Sequence, residues 1–91
     1  MNLQIVLSKQ FQKDLKLAKK RGFNIEELEI VVNMLAQQKT LPQKYKDHNL
    51  SGNYSNFREC HIKPDWLLIY KQDENELLLI LFRTGTHSDL F

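Results

Sequence analysis

The sequence predicts an α+β domain: an N-terminal strand, a helical hairpin, then a three-stranded antiparallel β-meander, with the helices packed on one side of the sheet. Three observations carry this reading. Apolar residues recur at helical spacing only between residues 9 and 41, a short β-branched run precedes them, and three nearly continuous apolar runs divided by turn formers follow. Ninety-one residues leave space for one domain.

In chain order, "LQIVL" at residues 3–7 is β-branched and apolar and reads as a strand. Ser8 is placed to cap the helix that follows, in which Phe11, Leu15 and Ala18 share a face and a Lys-Lys-Arg turn leads into Gly22. At about 100° per residue, Lys9, Lys13, Lys16 and Lys20 fall within a stripe of roughly 60° on the opposite face, a lysine ridge. Asn24 opens the second helix, with a capping box to Glu27 expected from the spacing. Leu28, Val31, Val32, Leu35 and Ala36 form its buried stripe, expected to continue until Leu41 and Pro42 stop it. Residues 42–56 are polar, turn-rich and aperiodic, and read as loop. "FRECHI", "WLLIYK" and "ELLLILFR" then read as strands joined by "KPD" and "QDEN".

Composition excludes several classes of function. The chain is 42% hydrophobic, and no apolar run approaches the roughly 20 residues of a membrane span. No secretory leader is visible, and the single cysteine, Cys60, allows no internal disulfide, so cytoplasm is the expected location. The net charge is only +2 but is unevenly spread: residues 1–21 carry six basic side chains against Asp14 alone, whereas residues 49–91 carry four basic and six acidic ones. Such a gradient suits an anionic partner.

All three histidines fall in chemically rich segments, His48 in "YKDHNL", His61 in "RECHIKPDW" and His87 in "RTGTHSDLF". Strand alternation puts Phe57, Glu59 and His61 on one face, and His61 is expected to meet Asp65 across the Lys63-Pro64 turn. No pair of histidines has metal-ligand spacing, there is no Gly-rich phosphate loop, and Cys60 reads as a structural thiol. RNA cleavage without metal remains. The ribose 2′-OH attacks the adjacent phosphate, a base takes its proton, an acid protonates the departing 5′ oxygen, and a cation steadies the phosphorane. Imidazole, with an ordinary pKa of about 6.5, can fill either proton-transfer role, and Arg83 could grip two phosphate oxygens as a fork. Trp66 and Phe91 are candidate base-stacking surfaces. Lys9, Lys13, Lys16, Lys20, Lys46 and Lys63 are candidates for the RNA backbone, with Lys44 beside them.

The stretches "LPQKYKDHNLSGNY", "FRECHIKPDWLLIYK" and "FRTGTHSDLF", preceded by "FQKDLKLAKKRG", resemble the YafQ-type branch of the RelE/ParE toxin superfamily. The resemblance runs from about residue 11 to residue 91. It implies a RelE-like fold and a type II toxin that enters the ribosomal A site, cuts mRNA there and is silenced by a cognate antitoxin protein. Such a toxin is a monomer when free, a hetero-oligomer with its antitoxin, and uses no cofactor. By matching positions, the family's functional residues fall on His48, His61, Asp65, Trp66, Arg83, His87 and Phe91. His87 is then the first candidate acid and His61 with Asp65 the candidate base, with His48 sharing that role. Spacing leaves open which imidazole faces which oxygen. Two other readings use the same fold: a ParE-like poison of DNA gyrase with no acid–base chemistry, and a non-catalytic RNA-binding relic.

Overall fold

The computed structural model describes residues 2–91. Its elements are β1 (Gln4–Leu7), α1 (Lys9–Lys20), α2 (Ile25–Ala36), β2 (His48–Asn49), β3 (Arg58–Lys63), β4 (Trp66–Asp73), β5 (Leu78–Gly85) and a one-turn α3 (His87–Leu90). Two 3-10 turns, Gln43–Tyr45 and Gly52–Tyr54, flank β2. The sheet is five-stranded in the order β1-β5-β4-β3-β2. The three long strands form the expected antiparallel meander, and β1 joins its far edge parallel to β5, from Gln4 opposite Leu78 to Leu7 opposite Leu81. A parallel pair needs a long crossover, and the helical hairpin supplies it.

Ser8 fastens strand, helix and sheet together. Its Oγ accepts from the Phe11 amide (2.9 Å) as the α1 cap and donates to the Phe82 carbonyl (2.7 Å). Both helices end in the Schellman arrangement, in which two amides past the cap turn back to the last carbonyls. Gly22 (φ 80°) does this for α1, its amide reaching Lys19 O and that of Phe23 reaching Ala18 O. Gln38 (φ 59°) does the same for α2. The second helix therefore stops at Ala36, short of the expected Leu41. The capping box at its start is also absent. Asn24 accepts from the Glu26 amide, while the Glu27 carboxylate pairs with Lys63 at 3.0 Å.

The main core lies between the helices and one sheet face, where Phe11, Val31, Leu35, Cys60, Leu68, Tyr70 and Leu79 are buried. A second cluster covers part of the other face, with Leu67, Ile69 and Leu90 buried beneath Leu50, Phe57 and Phe82. α1 and α2 thus lie on one side as expected, but α3 and the residues near β2 pack on the other. This explains why Leu67 to Tyr70 are all fully buried and read as one apolar run. Among the described residues, no helix is long and apolar enough to cross a membrane.

Candidate active site

The segment read as loop contains the short strand that builds the site. β2 pairs antiparallel with β3, His48 opposite Glu59 and Asn49 opposite Arg58. Two residues further along β3 comes His61, and α3 begins with His87. The result is a row of three imidazoles, with ring centroids 6.2 Å apart from His48 to His61 and 5.7 Å from His61 to His87.

A carboxylate backs each part of the row. Asp65, in the turn between β3 and β4, binds His87 and not His61, which corrects the expected pairing. Its Oδ1 accepts from the His87 backbone amide at 2.9 Å and from His87 Nδ1 at 2.6 Å. The amide first, and then the ring, hold the Asp65 carboxyl below its ordinary pKa. His61 instead directs Nδ1 toward the Pro64 carbonyl (3.3 Å), while its Nε2 lies 3.7 Å from Glu59 Oε1. The same Glu59 oxygen is 3.3 Å from His48 Nε2, and His48 Nδ1 donates to the Lys46 carbonyl at 2.6 Å. Glu59 is only 6% exposed, and its other oxygen has no hydrogen-bond partner within the protein. Sequence reasoning placed Glu59 on the His61 face without naming it as a site residue. Its one sequence signal is an acid at an inward strand position.

Two arginine-aspartate pairs brace the ends of the row. Arg21, just past α1, forks onto Asp89 at 2.6 and 3.2 Å. Asp89 Oδ2 also accepts from the Thr86 amide, and Thr86 Oγ1 accepts from the Asp89 amide, a complete capping box at the start of α3. Arg21 above all, and then the Thr86 amide, keep the Asp89 carboxyl well below the usual range. Gly85 allows the fit, since a Cβ there would lie 3.0 Å from Asp89. At the other end Arg58 holds both neighbours of His48, donating to Asp47 Oδ2 (2.9 Å) and Asn49 Oδ1 (2.5 Å). The Tyr70 hydroxyl also donates to Asp47 and accepts from Arg58 Nε. Burial, then Asp47, pushes the Tyr70 phenol up.

The remaining expected site residues divide clearly. Phe91 is 64% exposed and meets Tyr54 edge to face at 5.9 Å, so it remains a candidate stacking surface. Tyr54, which the sequence reading missed, joins it there. Trp66 is 3% exposed, donates Nε1–H to Thr84 Oγ1 and packs on Phe23, so it belongs to the core and presents no stacking face. Arg83 Nε and Nη2 are engaged by Asp14 at 2.9 and 3.2 Å, so the expected two-pronged phosphate grip is occupied within the protein. Asp14 also accepts from the Thr84 amide. Lys9, Lys13, Lys16 and Lys20 are all exposed along α1, and Lys46 is exposed beside His48. Burial pushes the Cys60 thiol far up, which keeps it protonated and unreactive. Among the described residues, no three His, Cys, Asp or Glu side chains are grouped to hold a metal ion.

Fold and site together describe a small α+β domain that sets three histidines in a row along a helix-braced sheet. Residues 3–91 match the family described as "Bacterial toxin of type II toxin-antitoxin system, YafQ". The chain belongs to this YafQ family of type II toxins. It is 43% identical over 88 residues to the mRNA interferase toxin YafQ of Escherichia coli K12, covering 96% of this chain and 94% of that protein. The crystal structure of a metal-bound toxin from Helicobacter pylori superposes with a TM-score of 0.92 at 50% identity, covering 98% of this chain and 99% of that one. YafQ in the E. coli DinJ-YafQ toxin-antitoxin complex superposes with a TM-score of 0.90 at 41% identity, covering 100% and 99%.

Proposed function

We propose that this chain is an mRNA-cleaving toxin, as the E. coli relative's name suggests, that a cognate antitoxin silences it, as that relative's DinJ complex suggests, and that it acts in the ribosomal A site. The observation that carries the reading is the spacing of His61 and His87, whose rings are 5.7 Å apart, close enough to reach one phosphodiester from two sides. His87 takes the role of acid. Its Nδ1 is committed to Asp65, which fixes the orientation of the ring, and Nε2 is left to deliver a proton to the departing 5′ oxygen. The base comes from the pair over Glu59. His61, with His48 beside it, takes the proton of the 2′-OH as its oxygen bonds to phosphorus. The P–O5′ bond breaks, leaving a 2′,3′-cyclic phosphate and a 5′-hydroxyl. Both proton transfers are supplied by the row itself.

The modest net charge supports dependence on the ribosome. A small domain with an uneven field gains affinity by being held beside its substrate on a larger partner. Primer extension on a defined mRNA programmed into 70S ribosomes tests the reading, with free RNA as control. A cut in the A-site codon is expected, reduced on the order of 10²- to 10⁴-fold by His87→Ala, with free RNA cut poorly. Growth arrest with no cut by either protein would favour a gyrase-poisoning toxin.

A further inference from the structure

A cleft of about 460 Å³ opens beside the histidine row, bounded by α2, the Gln43–Tyr45 turn and the outer end of β3. Its size falls in the roughly 300–1,000 Å³ range of small-ligand sites. We propose that it holds the nucleotide on the 5′ side of the cut, the one whose 2′-OH attacks. The proposal rests on the nuclease reading for the direction of the strand.

Position is the first argument. His61 forms part of the cleft wall, and His87 lies on the other side of His61 from His48. With His87 at the departing oxygen of the 3′ nucleotide, the ribose at His61 belongs to the 5′ nucleotide, and its base extends into this cleft. The walls are the second. Tyr45 is half-buried, and Ile30 is 53% exposed, a large apolar side chain left open on the α2 wall. A base laid between them would cover both. The Lys44 ammonium, 5.1 Å from the Tyr45 ring centroid, already uses that ring's π face, which also suits a base. Charge is the third. Lys44, Lys46 and Lys63 outnumber the single carboxylate of Glu27, which fixes Lys63 at 3.0 Å and so shapes the wall. Lastly, β2 pairs only with Arg58 and Glu59, so the outer edge of β3 from Cys60 onward carries no strand among the described residues. Edge amides and carbonyls there can read the hydrogen-bonding edge of a base.

The test combines binding and cleavage. Isotope-labelled native protein is titrated with a trinucleotide whose attacking 2′-OH is replaced by hydrogen, and with the dinucleotide lacking the 5′ residue. Amide shifts at Lys44, Tyr45, Ile62 and Lys63 are expected with the trinucleotide only. In the programmed-ribosome assay, Tyr45→Ala is expected to raise KM at least tenfold and flatten the preference for the base 5′ of the cut, with kcat changed less than about threefold. Tyr45→Phe, which keeps the ring, is expected to behave as native. Unchanged KM and base preference in both Tyr45→Ala and Lys44→Glu, with native cleavage intact, would overturn the subsite and leave the nuclease reading standing. The same result with weakened antitoxin binding would reassign the cleft to a protein partner, again overturning it. If the native chain cuts nothing, the nuclease reading falls and the assignment of an attacking nucleotide to the cleft falls with it.

Discussion

The two ends of the histidine row are braced by the same kind of pair set in different surroundings. At the His87 end, His87 and Asp65 are both open to solvent, while Arg21–Asp89 is about as exposed as its counterpart at the other end. At the His48 end, Arg58 and Asp47 are partly buried and tied to Tyr70, which is fully buried. Surface pairs are weakened by salt and water, whereas a network on a buried phenol is sheltered from both. The His87 end should therefore respond to solution conditions, and the His48 end to packing.

Asp65→Asn should break the comparison hardest. The amide can still accept from the His87 backbone, but it removes the carboxylate that orients the ring through Nδ1. A fall in kcat on the order of 10- to 10²-fold is expected, with KM nearly unchanged, because the lost interaction acts on proton transfer. Single-turnover cleavage on programmed ribosomes measures it. An equal fall in Glu27→Gln, which touches only the neighbouring cleft, would show that carboxylate loss near the row is damaging in general.

Next in size is Tyr70→Phe at the sheltered end. Removing the hydroxyl deprives Asp47 of a donor and Arg58 Nε of an acceptor in a partly buried setting. The loss is expected at about 1–3 kcal/mol, and about 4–8 °C in Tm accompanies each kcal/mol in a domain of this size. Calorimetry would read it. Cleavage should fall less than in Asp65→Asn, since β2 still pairs with β3 around His48. An unchanged Tm would mean that the network adds nothing and that the strand pairing alone holds His48.

What the sequence made legible follows the range of the interaction. Periodicity located both long helices and the three meander strands, because each buries a continuous apolar stripe. It also placed Gly22 at a helix end. It missed Gln38, since a non-glycine residue in the left-handed region leaves no local trace. β2 is two residues long, too short for any period, yet it sets His48 over Glu59. Asp65 was paired with His61 by nearness in the chain, but its partner is 22 residues away. Arg83 was assigned to phosphate because Asp14, 69 residues distant, gave no sign of meeting it. Trp66 reads as a stacking surface because an aromatic beside a turn looks the same in sequence whether its ring turns outward or into the core. The three histidines that form the row were thus readable in the sequence, and the partners of His61 and His87 were not.

The smallest effect concerns Arg21 and pH. Arg21→Ala removes an exposed pair, so global stability should hardly change. The docking of residues 86–91 should change instead. Arg21 and the Thr86 amide depress the Asp89 carboxyl, so its contribution is fully present above the ordinary carboxylate value of about 4 and is lost only as pH falls through the lowered value. In the native chain, protection of the Leu90 and Phe91 amides should therefore persist through pH 4 and fail below it. In Arg21→Ala the loss should begin nearer the ordinary value, because the larger cause of the depression is gone while the Thr86 amide remains. Amide exchange across a pH series measures both curves. If they coincide, the capping box alone docks the segment, and the Arg21 pair contributes nothing to the placement of His87.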